Sequence, residues 1–123
     1  MHPSDRPQPE ERDIATSGRE AVLVLITTAT REEADRIARS LVEQRLAACV
    51  SIVPQVRSFF WWENKLSEEE EVLLMMKTRR SHLRQLIVKV KAIHSYSVPE
   101  IIALPIVEGS TSYLEWVDET TRS

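Results

Sequence analysis

Hydrophobic positions change their period several times along the chain, and each period predicts an element. AVLVLITT (21–28) is a continuous apolar, β-branched run that suits a strand covered on both faces. Thr30 followed by Glu33 forms a capping box, after which Ala34, Ile37, Ala38, Leu41 and Val42 recur at helical spacing, predicting an amphipathic helix over about residues 31–46. AACVSIVPQVRSFFWW is then a long run of strand-formers interrupted by Pro54, which lacks an amide donor and marks a bulge or an edge. Within it, SFFWWENK (58–65) sets four of the chain's seven aromatic residues side by side. In a strand, Phe59 and Trp61 point one way and Phe60 and Trp62 the other. One core needs only one apolar face per strand, so the second face needs a covering of its own.

ENKLSEEEE reads as a polar turn and EVLLMMKT as the strand returning from it. A single helix over 68–93, capped by Ser67 and Glu70, is the competing reading, but residues 72–76 are contiguously apolar with no polar face, which favours a strand. From Ser81 the stripe Leu83, Leu86, Ile87 and Val90 predicts a second amphipathic helix ending near His94 and Ser95. Pro99 opens a short strand, EIIALPIV, in which Pro105 again suggests an edge. Gly109 and Ser110 precede a terminal helix carrying Tyr113, Leu114, Trp116 and Val117. The order β, α, β, β, α, β predicts an α+β, ferredoxin-like fold with a C-terminal helix. Both crossover helices then pack on one face of a four-stranded sheet. The opposite face is left bare, and self-association into a closed ring is the economical covering.

A chain of 123 residues is long enough for one core. Residues 1–19, with Pro3, Pro7 and Pro9 among charges, read as a disordered tail, and residues 20–123 as the folded domain. The net charge of −3 offers no basic excess for a phosphate backbone, so nucleic acid is not an expected partner. No apolar run approaches the roughly 20 residues of a membrane span, and the first residues lack the apolar stretch of a secretory signal. Cys49 is the only cysteine, which fits a reducing compartment, and a cytoplasmic location is expected.

RLAACV (45–50), FWWENK (60–65), HSYSVPE (94–100) and GSTSYLEW (109–116), taken in this order over about 100 residues, resemble the four signature segments of the CutA family of divalent-cation tolerance proteins. The resemblance implies a compact homotrimer of ferredoxin-like subunits, similar in build to PII signalling proteins, with ligands in clefts between subunits. It also implies a role in copper and divalent-metal tolerance without catalysis. The sequence departs from the family pattern at four places: Asn64 stands for the usual Gly, Ser95 for the usual Pro, and Ile26 and Ile93 for a Cys and a His in proposals for copper binding.

Candidate metal ligands are therefore His94, an imidazole, and Cys49, a soft thiolate suited to copper(I). The bland alternatives are a helix-terminal histidine and a small buried cysteine on a strand. Trp62, Glu63, Lys65, Lys77, Tyr96 and Glu100 are candidates for a cleft between subunits, against the alternative of a solvated hairpin tip. Trp116 and Tyr113 read as packing residues and Glu68 to Glu71 as solvated charge. No CxxC, HExxH or GxSxG spacing occurs, so an enzyme is the least supported class. The functional candidates are a metal-tolerance protein binding copper or another divalent cation, a PII-like small-molecule sensor, and a scaffold for an unidentified protein partner.

Overall fold

The computed structural model describes residues 14–16 and 20–122. Alternation along two central strands sets the architecture. In β2 (Ala21–Thr28) and β4 (Lys65–Arg79), antiparallel and in register from Ala21↔Arg79 to Thr28↔Val72, the even-numbered residues share one face. Val22, Val24 and Ile26 thus lie beside Val72, Leu74 and Met76, all at most 5% exposed. β3 (Cys49–Trp62) flanks β4, and β5 (Ile101–Pro105) flanks β2, adding Val50, Ile52, Ile101 and Ala103 to that face. The strand order β3-β4-β2-β5, antiparallel throughout, is the ferredoxin-like arrangement. α1 (Arg31–Glu43) and α2 (Leu83–Ile93) cover the face with Ala34, Ile37, Leu41, Leu86 and Val90, all fully buried. Each large side chain buried here stabilises the fold by about 1.5–3 kcal/mol.

Helix ends follow local chemistry. Thr30 caps α1 by accepting from the Glu33 N–H at 3.1 Å, as the capping box predicts. The predicted extension of α1 to residue 46 is corrected: Arg45 adopts φ 58°, and the N–H groups of Arg45 and Leu46 fold back onto the carbonyls of Val42 and Leu41. That is a Schellman closure built without glycine. The Arg45 guanidinium donates to the Thr120 carbonyl at 2.9 Å, which holds this conformation. A short 3₁₀ turn, Arg80–His82, leads into α2.

The second half of β3 and the first half of β4 extend beyond the sheet. β2 pairs with β4 only from Val72 onward, so Val56–Trp62 and Lys65–Glu71 pair solely with each other as a two-stranded ribbon. Glu63 and Asn64, at φ 50° and 63°, make a two-residue type I′ turn, Asn64 tolerating the left-handed backbone that glycine would otherwise supply. The polar turn predicted over 63–71 is therefore only two residues long, and the helical reading of 68–93 fails from Glu68 to Arg79, which belong to β4. The acidic run is strand because its side chains find partners across the ribbon: Arg57 bonds Glu68 at 2.6 Å and Gln55 bonds Glu70 at 3.2 Å.

Pro54 marks the predicted bulge as a register shift between Val53 and Val56. Before it, odd residues of β3 share the face away from the helices; beyond it, even residues do. The bulge thus decides that Phe60 and Trp62, not Phe59 and Trp61, lie on the face that continues from Leu73 and Met75 of β4.

The face away from α1 and α2, predicted to be bare, is partly covered. α3 (Thr111–Thr121) lies over its Cys49 and Arg79 end, where Arg79 bonds Asp118 and Thr121. Ile102 and Leu104 stay 49% and 43% exposed toward the other edge. The tail reading is also corrected in part: Ile14–Thr16 forms strand β1 and pairs antiparallel with β6 (Glu108–Ser110). The remainder of residues 1–19 lies outside the described residues.

Candidate functional site

Because β2 stops at Thr28 while β3 and β4 run on as a ribbon, a step is left at the end of the sheet. Loop 94–100 closes one side of it, leaving a cleft of about 770 Å³. The ribbon contributes Phe60, Trp62, Glu69 and Glu71, the loop Tyr96 and Glu100. The lining holds three glutamates and no lysine, arginine or histidine.

The loop is held by a buried polar network. The Glu33 carboxylate accepts the Ser95 N–H at 2.6 Å and the Ser95 hydroxyl at 3.0 Å, and the Ala29 N–H at 3.4 Å. Burial pushes the Glu33 carboxyl up, but the Ser95 and Ala29 hydrogen bonds outweigh it and hold the group below the usual carboxylate range. His94 has a side chain wholly out of solvent. Its Nδ1 accepts the Tyr96 N–H at 3.0 Å, so the ring proton sits on Nε2 and is donated to the Thr27 carbonyl at 2.7 Å. The Tyr96 hydroxyl then donates to Glu71 Oε2 at 2.8 Å, joining the loop to the ribbon. Burial, that bond, and the charges of Glu71, Glu33 and Glu69 hold the phenol proton far above the ordinary tyrosine range.

Of the six cleft candidates, Trp62, Tyr96 and Glu100 come together here. Glu63 and Lys65 stand at the exposed ribbon tip, and Lys77 pairs with Cys49 toward the opposite end of the sheet. Glu71 and Glu33 were missed by sequence reasoning: Glu71 sits inside an acidic run read as solvated, yet is 8% exposed. The capping-box position was the one available signal for Glu33.

The two candidate metal ligands are each engaged in other contacts. Both ring nitrogens of His94 are engaged by main chain. Cys49 Sγ lies 3.4 Å from the Tyr113 hydroxyl, and the Trp116 ring packs tilted against the Tyr113 ring at 5.6 Å between centroids. The two candidates are also separated along the sheet, His94 beside Thr27 and Cys49 opposite Lys77, which pairs with Leu23. Ile26 is core, fully buried. Among the described residues, no group of three or more His, Cys, Asp and Glu is placed to hold a metal ion.

A ferredoxin-like sheet carrying an overlong ribbon and a cleft at its base defines the class: a small α+β protein built to present that ribbon, with no helix among the described residues long and apolar enough to cross a membrane. The family profile described as CutA1 divalent ion tolerance protein matches residues 22–120, and the chain belongs to that family. It is 50% identical over 99 residues to the divalent-cation tolerance protein CutA of Thermus thermophilus, covering 80% of this chain and 96% of that protein. The chloroplastic CutA 1 of Oryza sativa is 47% identical over 102 residues, 83% of this chain but only 58% of the rice protein. The chain thus spans little more than half the length of its plant relatives. The solved CutA of Archaeoglobus fulgidus superposes with a TM-score of 0.81 at 43% identity, covering 83% of this chain and 99% of that one. These relatives correct the cytoplasmic expectation: the rice protein is chloroplastic and the Archaeoglobus protein is described as periplasmic, so a single cysteine does not fix the compartment.

Proposed function

We propose that this chain is a non-enzymatic homotrimeric protein of divalent-cation tolerance that acts by binding a ligand in the cleft at the base of its ribbon. The tolerance role is carried over from relatives named for it in Thermus and Archaeoglobus. The observation that carries the site is the meeting of Trp62, from one signature segment, with Tyr96 and Glu100, from another, around one cleft. The trimer reading is supported by the ribbon, which leaves Phe59, Trp61 and Leu66 60–73% exposed in the single chain.

Engagement of His94 by main chain favours the sensor reading over direct copper coordination: metal tolerance is then an indirect result of ligand binding. Complementation tests both. In a metal-sensitive bacterial strain lacking its own homologue, the chain should restore growth in copper, and Tyr96→Phe with Glu100→Gln should not. Full rescue by that double variant would remove the cleft from the function.

A further inference from the structure

We infer that the cleft takes an organic cation, an alkylammonium or guanidinium group, in place of a bare metal ion. This rests on the reading of the cleft as the ligand site and names the chemistry of its occupant.

Three observations converge. The charges in the lining are all of one sign: Glu69, Glu71 and Glu100, with no basic side chain among them. Glu71 is the decisive one. It is 8% exposed, its recorded partner is the neutral Tyr96 phenol, and among the described residues it makes no ion pair. A carboxylate taken this far out of water without a cation is costly, and a cationic ligand would compensate it. Next, Phe60 and Trp62 present rings on the same ribbon face, and aromatic faces attract ammonium and guanidinium groups within about 6 Å. A small hydrated metal ion gains little from such walls, and the carboxylates are not gathered as metal ligands.

The other face of the ribbon supplies the pattern in filled form. There Arg57 lies with its guanidinium carbon 5.3 Å from the Phe59 ring centroid while bonding Glu68, the cross-strand partner of Phe59. One register step along, Ser58 takes the position before Phe60 that Arg57 takes before Phe59, Ser67 stands opposite Phe60 where Glu68 stands opposite Phe59, and the carboxylate on this face is Glu69, opposite Ser58. The cleft face therefore offers ring and carboxylates without a cation of its own.

Calorimetric titration of the full chain with putrescine, against Mg²⁺ as a dication of equal charge, tests this. Putrescine should bind with one site per subunit, and equimolar Mg²⁺ should not displace it. Glu71→Gln should weaken binding about tenfold or more, the loss expected for one charged partner. Glu100→Gln, exposed and independent of folding, should weaken it in the same direction. Glu70→Gln, on the opposite ribbon face, should leave it unchanged. Absence of putrescine binding, equal losses in Glu70→Gln and Glu71→Gln, or displacement by equimolar Mg²⁺ would each overturn the inference. Sedimentation of the same samples separates the two readings. A monomer that binds putrescine with this variant pattern supports the cation site and overturns only the trimer; a rescuing trimer that ignores putrescine overturns only the cation.

Discussion

The Glu33 carboxylate, on the first turn of one core helix, accepts both the N–H and the hydroxyl of Ser95, just beyond the end of the other. A proline at this position could not supply that N–H. Here a charge-assisted hydrogen bond fixes the loop instead of a ring. Glu33→Ala should destabilise the protein by about 1.5–3 kcal/mol, since two donors of Ser95 lose a buried, charged acceptor. Ser95→Ala keeps the main-chain bond and should cost about 1 kcal/mol. Chemical denaturation compares the two, and equal losses would mean that the hydroxyl, not the N–H, carries the contact.

Glu33 also sets an acid limit. Its folded carboxyl is held below the ordinary value, so the unfolded chain takes up this proton first as pH falls. The associated stability is complete above the ordinary glutamate range and is lost as pH drops from there through the folded value. Thermal melts between pH 6 and pH 3 should therefore show a slope that Glu33→Gln reduces. An unchanged slope would assign acid sensitivity to other carboxylates.

Both tyrosines should resist alkali. Burial and Glu71 hold the Tyr96 proton well above the ordinary range, while burial, the hydrogen bond to Cys49 and its charge push Tyr113 up to about 12. In each case the folded state keeps the proton longer than the unfolded state, so stability is complete below the ordinary tyrosine value and falls as pH rises toward the folded one. Ultraviolet titration of native protein should show no tyrosinate step near pH 10, and unfolded protein should show the full step. A half-amplitude step near 10 in the native protein would mean that one of these hydrogen bonds is not kept in solution.

His94 should matter for stability and not for copper. Removing its ring leaves the Thr27 carbonyl and the Tyr96 N–H without their partner, a loss of about 2–3 kcal/mol for His94→Ala. Copper(II) affinity of the folded variant should equal that of the parent chain. Lost affinity with unchanged stability would restore His94 as a ligand.

The core was legible because its period is local: even positions of 22–26 and 72–76 alternate or run apolar over a single element, and the capping box announces α1 on its own. The reach of β4 was not. Residues 65–71 carry four consecutive glutamates, and what makes them strand is Arg57, Gln55 and the turn geometry of Asn64, contacts that no local pattern reveals. The cleft was half legible for the same reason. Trp62, Tyr96 and Glu100 stand out in sequence by aromatic clustering or motif, whereas Glu71 becomes a buried partner of Tyr96 only when loop and ribbon meet. His94 and Cys49 offer metal-ligand chemistry by type alone, and no local pattern reveals the hydrogen bonds that engage them.

The ribbon itself yields the sharpest test of assembly. Trp61 is 73% exposed and lies on the face of Arg57 and Phe59, so within one chain it contributes little to packing. Trp62 is 48% exposed and lines the cleft. If neighbouring chains cover the ribbon, each aromatic side chain there buries about 150–250 Å² in all, much of it against the neighbour. Trp61→Ala should then leave circular dichroism and monomer secondary structure intact while raising the protein concentration needed to hold the oligomer in sedimentation. Trp62→Ala should do the same and also weaken ligand binding in the cleft. An oligomer unchanged by Trp61→Ala at the lowest measurable concentration would show that this face of the ribbon is covered by nothing, and that its aromatics serve the ribbon's own Arg57 and Glu68 pairing instead.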